Sequence, residues 1–219
     1  MAQYNENTTG NSQVGLDATL RTSGLGQFGV QLMLDDYQVD DCSPNCNEPP
    51  SWGASLVAEG VPLFGGQRGF ASYTRLTNLA YRTPTPHETH SHLGIGLGRA
   101  YTDYDEWRLG VETSVIRWMP LRLYAAHRRQ GQGDYRLPFP IPEQYASTPQ
   151  FLSGVVTTVN RIGVRGAGIS RYADVEGDIG MNSTTNAGHV LQARRNDVQG
   201  RVRVAFRPPW LWRSQEQGD

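Results

Sequence analysis

Between residues 107 and 115 the side chains alternate in character. Trp107, Leu109, Val111, Thr113 and Val115 fall on one side, with Arg108, Gly110, Glu112 and Ser114 on the other. A two-residue period belongs to a β-strand with one apolar and one polar face, and no helix reproduces it. The period recurs in Val14, Leu16, Ala18 and Leu20, and again in Phe28, Val30, Leu32 and Leu34. A Ser23-Gly24-Leu25-Gly26 turn joins those two runs into a hairpin.

Further runs of this kind occupy residues 53–59, 69–81, 121–133, 169–181, 187–195 and 198–207. Residues 130–168 read as one long connection, because the prolines of R-L-P-F-P-I-P-E forbid a central strand. Residues 155–165 within it are rich in β-formers but alternate raggedly, and stand as an optional extra strand. No amphipathic helix of useful length appears. The expected class is all-β, an antiparallel sheet of about nine long strands over residues 13–207. A polar lead-in at 1–12 and a non-strand tail at 208–219 flank it.

Composition narrows the function. All 20 basic residues are arginine and the net charge is -1, so no basic patch points to nucleic acid. No run of about 18 apolar residues offers a transmembrane helix. Residues 1–12 lack the charged and apolar regions of a secretory signal, which fits either a cytosolic protein or a sequence that starts after its leader. Cys42 and Cys46 are the sole cysteines, in the polar loop C-S-P-N-C. Two cysteines do not complete a four-ligand zinc site. A small disulfide-closed loop is favoured over two free thiols and would imply an oxidising compartment.

Two all-β architectures compete. A soluble sandwich buries its apolar faces against each other and turns the polar faces to water. An outer-membrane β-barrel turns its apolar face to lipid and lines a lumen with the polar set. Strand length favours the barrel, since about 9–11 residues cross a membrane and globular strands average about 5–6. So do the charges of both signs on the polar faces: Asp17, Arg21, Asp35, Glu59, Arg75, Arg108, Glu112, Arg122, Asp174, Glu176, Asp178, Arg201 and Arg203. Connections also alternate between short and long, as periplasmic turns and outer loops do. With the short turns near Gly24, near Gly65 and at Met119-Pro120 in the periplasm, the first strand descends from outside and the chain ends on the periplasmic side. On that count the turn at 183–186 is periplasmic and Asn196-Asp197 forms a very short outer loop. An odd number of strands beginning outside describes the C-terminal part of a larger barrel.

The residues also resemble a family. G-L-D-A-T-L-R at 15–21, followed by Q-F-G-V-Q-L-M-L-D-D-Y at 27–37, resembles the strand pair with a YGQ-LLLDDF-like signature in the capsule assembly (Wzi-type) outer-membrane proteins. Y-T-R-L-T-N-L-A-Y-R-T at 73–83, with T-H-S-H-L-G-I-G-L-G-R-A at 89–100, is similar to that family's EYTRV-P-TYSH strand and YTH…PLG…LG loop. The likeness spans roughly residues 14–133 and weakens toward Phe206. It departs at Gly94-Ile95-Gly96, where the family loop carries proline. The resemblance implies a large bacterial outer-membrane barrel, with this chain as about its C-terminal half. It implies a non-enzymatic role in binding or holding surface polysaccharide, with outer-membrane lipid as the other partner and no cofactor. A porin-like channel for small polar solutes and a soluble carbohydrate-binding sandwich are the alternatives.

Candidate sites follow from the barrel reading. Arg108, Glu112, Arg122, Asp174, Glu176, Asp178, Arg201 and Arg203 are the expected lumen-lining set, cross-braced as arginine–carboxylate pairs. The same carboxylates could serve glycoside hydrolysis, but no G-x-S-x-G elbow, phosphate loop or zinc-protease helix accompanies them. Sugar binding calls for aromatic faces beside arginine and carboxylate donors and acceptors. Arg99, Tyr101, Asp103, Tyr104, Tyr135 and Arg136 supply that combination on the outer loops. For Tyr104 and Trp107 an interfacial aromatic girdle is an equal reading. His87, His90 and His92 in H-E-T-H-S-H have zinc-compatible spacing, yet a solvated rim loop is the default and no metal is assigned.

Overall fold

The structure is a computed structural model describing residues 13–35, 49, 51–82, 91–92, 95–96, 101–114 and 119–206. The lead-in, the tail, Cys42, Cys46, His87, His90 and Arg99 lie outside the described residues, as does the side chain of His92.

One nine-stranded antiparallel sheet dominates. Its strands are β1 (Gln13–Thr22), β2 (Gly26–Asp35), β3 (Ser51–Pro62), β4 (Arg68–Leu76), β7 (Tyr104–Thr113), β8 (Leu121–Gln130), β9 (Thr157–Ile169), β10 (Ala173–Thr185) and β11 (Arg194–Phe206). Each pairs with its neighbour in chain order, β1 and β11 forming the edges. These two edges do not pair with each other, so hydrogen bonds do not close the sheet. The two-residue strands β5 (Ser91–His92) and β6 (Ile95–Gly96) form a separate small ladder.

The sheet holds nine strands, though not the nine expected. Residues 157–169 form a full strand, β9, paired on both sides. Residues 169–181 are not one strand. Ser170 breaks them, donating its hydroxyl to the Ala173 carbonyl at 2.8 Å and accepting from the Ala173 amide at 3.0 Å. That local competition for backbone partners is how serine makes a turn. The expected turn at 183–186 is mostly strand, since β10 runs to Thr185. Residues 187–195 are mainly a connection, and Asn196 and Asp197 sit inside β11. The strand that begins near Gly69 ends at Leu76 rather than Tyr81, because 77–82 coil back on themselves with Tyr81 at φ 71°. The strand around Trp107 starts at Tyr104 and ends at Thr113.

These changes make the alternation regular. Turns 23–25, 63–67 and 170–172 lie at one end of the sheet, where β7 also leads to β8; the ends of β2 and β3, β4 and β7, β8 and β9, and β10 and β11 that the longer connections join lie at the other. Register then fixes the two faces. Leu16, Leu32, Leu109, Leu123, Ile162, Met181, Val198 and Val202 share one face. Arg108, Glu112, Arg122, Arg161, Arg165, Glu176, Asp178 and Arg201 share the other.

Burial is inverted relative to a water-soluble fold. Ile162 is 73% exposed and Val202 74%, whereas the side chains of Arg161 and Asp178 are 17% and 26% exposed. No second sheet covers the apolar face among the described residues. The buried apolar cluster of Leu76, Ala80, Tyr81, Tyr104 and Tyr135 lies at the long-connection end.

Candidate functional site

The polar face is a ladder of side chains crossing the strands. Arg122 on β8 bonds Glu112 on β7 at 2.8 Å and reaches Glu59 on β3 at 3.5 Å. Arg161 on β9 pairs with Asp178 on β10 at 2.5 Å and donates to the Tyr124 hydroxyl at 2.7 Å. Glu176 accepts from Arg165 at 2.6 Å and lies 3.6 Å from Arg201. Half-exposed pairs of this kind are each worth about 0–1 kcal/mol. Their effect is to hold long side chains in fixed places. All eight residues expected to line a lumen fall on this face by register, Asp174 and Arg203 included.

Two cavities lie on it. One of about 740 Å³ sits at the short-turn end beside Arg21, Gln27, Glu59, Arg68, Glu112 and Arg122. Another of about 550 Å³ runs past Glu106, Arg108, Tyr124, Arg161, Asp178 and Arg201.

At the other end the long connections are knotted together by buried carboxylates. The Asp103 side chain is wholly buried, and its Oδ2 accepts from the Gly133 amide (2.9 Å), the Ser153 amide (2.9 Å) and the Ser153 hydroxyl (2.5 Å). Its own carbonyl accepts from the Gly131 amide at 2.8 Å. Gly131 and Gly133 are required here, since a Cβ at either would strike Asp103 or Asn78. Asp35 likewise accepts from the Tyr81 amide at 2.8 Å. Arg82 donates to Asn78 at 3.1 Å and to the Pro138 carbonyl. Burial lowers the Arg82 pKa from its ordinary value, opposed by Asp134 and then Asp103. The result fastens 77–82 and 101–103 to 131–153.

This knot changes the expected sugar site. Asp103 is committed to backbone amides, and Tyr104 is 7% exposed, so neither is open to a ligand in this arrangement. Tyr101 is exposed and meets Tyr104 edge to face at 6.2 Å. Tyr135 is buried but borders a cavity of about 290 Å³, together with Tyr101, Arg128, Asp134, Arg136, Thr157 and His189. Exposed Arg136 donates to the Tyr135 hydroxyl at 3.3 Å. Trp107 lies on the opposite, apolar face, stacked on His127 at 5.6 Å.

Two lining residues were not legible as a site. Arg128 shares the parity of Arg122 and Tyr124, which assigns its face but not its place at the cavity. His189 arrives because the 186–193 connection folds back onto β9. Thr157 donates to the Asn186 carbonyl at 2.7 Å and accepts from the His189 amide at 3.2 Å. Among the described residues no three His, Cys, Asp or Glu side chains are grouped to hold a metal ion. No protein-family model matches the chain, and no curated protein or solved structure is similar to it at a significant level.

Proposed function

We propose that this chain is a segment of a bacterial outer-membrane β-barrel that binds surface polysaccharide at its long-connection end. One observation carries the membrane half: the exposed face is apolar and the sheltered face is charged. Water would penalise such a sheet, whereas lipid outside and solvent inside satisfy both faces. From Val198 to Phe206, at about 3.4 Å per residue, the apolar run covers about 27 Å of strand. At the usual tilt that is about 20 Å of membrane normal, close to the roughly 25 Å apolar band of such barrels. Trp107, stacked on His127 where that band gives way to the Asp105–Arg129 ion pair, suits an interfacial girdle. Unpaired edges cannot face lipid. Closure therefore calls for further strands between β11 and β1, in keeping with the larger barrel implied by the capsule-assembly resemblance.

The glycan half rests on that resemblance and on the rigid mouth, where exposed Tyr101 and Arg136 stand beside an open cavity. Preorganised aromatic and guanidinium groups are what sugar recognition needs. The role is binding rather than catalysis. The test is retention of purified capsular polysaccharide by the protein and by a Tyr101→Ala, Arg136→Ala double variant. Both positions are exposed, so the variant keeps its fold; unchanged retention would sink the glycan site. Slower, heat-modifiable gel migration is expected if the barrel reading holds.

A second reading has its own observation. The cavities of about 740 and 550 Å³ on the polar face suit a water-filled passage for small solutes. Conductance steps in planar bilayers, altered by Arg201→Ala, would favour a channel over a closed glycan-binding barrel.

A further inference from the structure

The cavity at the mouth is charged unequally, and the imbalance centres on one residue. Arg128 projects from β8 onto the polar face, directly opposite Glu106 in register. Glu106 does not pair with it, accepting instead from Arg108 at 3.2 Å. The Arg128 guanidinium lies 5.3 Å from the centre of the Tyr101 ring, and it makes no ion pair among the described residues. A half-buried arginine held by an aromatic face alone keeps most of its hydrogen-bond donors available.

The arginines around it do have carboxylate partners: Arg108 has Glu106, Arg136 has Asp134, Arg161 has Asp178, Arg195 has Asp197, and Arg201 has Glu176 from beyond the cavity lining. Arg128, Thr157, Val159 and Gly188 line both the cavity of about 290 Å³ and the cavity of about 550 Å³, so the two adjoin. The first contributes Arg128, Arg136 and Asp134; the second adds Arg108, Arg161, Arg195 and Arg201 with Glu106, Asp178 and Asp197. That makes six arginines (two and four) against four carboxylates (one and three). His189 closes one side. Its Nδ1 lies 2.7 Å from the Val155 carbonyl, so Nδ1 carries the proton and Nε2 is left as an acceptor for a hydroxyl.

We infer that this cavity binds a carboxylate-bearing sugar residue of a glycan, with Arg128 as the fork that takes the carboxylate. The ligand class is an acidic, uronate-containing polysaccharide, and the inference rests on the polysaccharide reading above. Tyr101 offers a ring face, Arg136 a second cation, and the arginine-rich cavity beyond Arg128 accommodates the next acidic residue of the chain. Arginine suits this task because its planar donors match a carboxylate in pairs.

The test is equilibrium binding to the detergent-solubilised full chain. The probes are hexagalacturonate, a neutral hexasaccharide of the same length and inorganic phosphate. Wild type is expected to prefer hexagalacturonate. Arg128→Gln weakens that binding about tenfold or more, the worth of a charge-assisted hydrogen bond, and leaves the neutral probe unchanged. Arg128→Lys restores part of the loss, which a merely misfolded variant would not. Equal affinity for acidic and neutral probes, or an unaffected Arg128→Gln, overturns the inference while leaving glycan binding intact. Phosphate competing as well as hexagalacturonate reduces the site to a simple anion site and also overturns it. Wild type binding no glycan at all removes the parent reading.

Discussion

The Tyr124 hydroxyl lies 3.0 and 2.9 Å from the two carboxylate oxygens of Asp178, although β9 runs between their strands. Gly163 makes this possible. It faces Tyr124 in register, and a Cβ there would come within 2.7 Å of the ring and 3.0 Å of the Ile179 carbonyl. Gly163→Ala should therefore lift Tyr124 off β9 and part it from Asp178. We expect a loss of about 1–3 kcal/mol, read as a lower urea midpoint for vesicle-inserted protein. Tyr124→Phe, which keeps the ring and removes the hydroxyl, should cost about 1.5 kcal/mol.

Ile162 and Arg161 are neighbours on β9 with opposite surroundings. Ile162→Arg places a charge in the middle of the apolar face. In lipid this should cost about 2–4 kcal/mol, and the variant should fail to fold into vesicles. In water the same change on a 73% exposed residue would be nearly silent. Normal assembly of Ile162→Arg would argue against lipid on that face.

Asp103→Ala leaves three donors without their acceptor at the junction of 101–103, 131–133 and 153. We expect about 3 kcal/mol of local destabilisation and rapid tryptic cleavage after exposed Arg136, while the sheet stays protected. Asp103→Asn tolerates the φ of 54° but cannot accept all three donors at one oxygen as a carboxylate does, so its cleavage rate should be intermediate.

Thr157 pins the 186–193 connection from both sides of its hydroxyl. Thr157→Val removes the donor to Asn186 and the acceptor for His189. Amide exchange at 187–192 should accelerate by about tenfold, the equivalent of about 1.4 kcal/mol of lost protection. Unchanged exchange there would mean that Asn186, which donates to the Val156 carbonyl at 2.9 Å, and His189, whose Nδ1 meets the Val155 carbonyl at 2.7 Å, hold the connection without Thr157.

Much of the sheet was legible because alternation is a local property. Val14–Leu20, Phe28–Leu34 and Trp107–Thr113 each announce a strand and its two faces without knowledge of their partners. Errors gathered where strand and turn chemistry compete. Residues 169–181 keep their alternation straight through the Ser170 turn, so period alone carried the start of β10 back to Ile169, the last residue of β9. Residues 187–193 contain β-forming Val190 and Leu191 but are bent by Asn186, His189 and Gln192 at positive φ, conformations that sequence rarely advertises. The long-connection end was read only in part. Tyr101 and Arg136 are exposed, but Asp103 is buried by amides 30 and 50 residues away, at Gly133 and Ser153.

The amino-acid sequence by itself determined the class of this protein, its two chemically distinct faces and the parity of most charged residues on the long strands; Arg75, expected on the polar face, falls by register on the other, between Ala54 and Asp105. It did so because a strand places successive side chains on opposite sides whatever surrounds it. The tertiary structure alone decided which face is sheltered, which arginines find carboxylates, and that Arg128 stands at a cavity without an ion pair among the described residues. Those outcomes depend on register between strands and on long connections folding back across them, and such distances are set only once the whole sheet has formed.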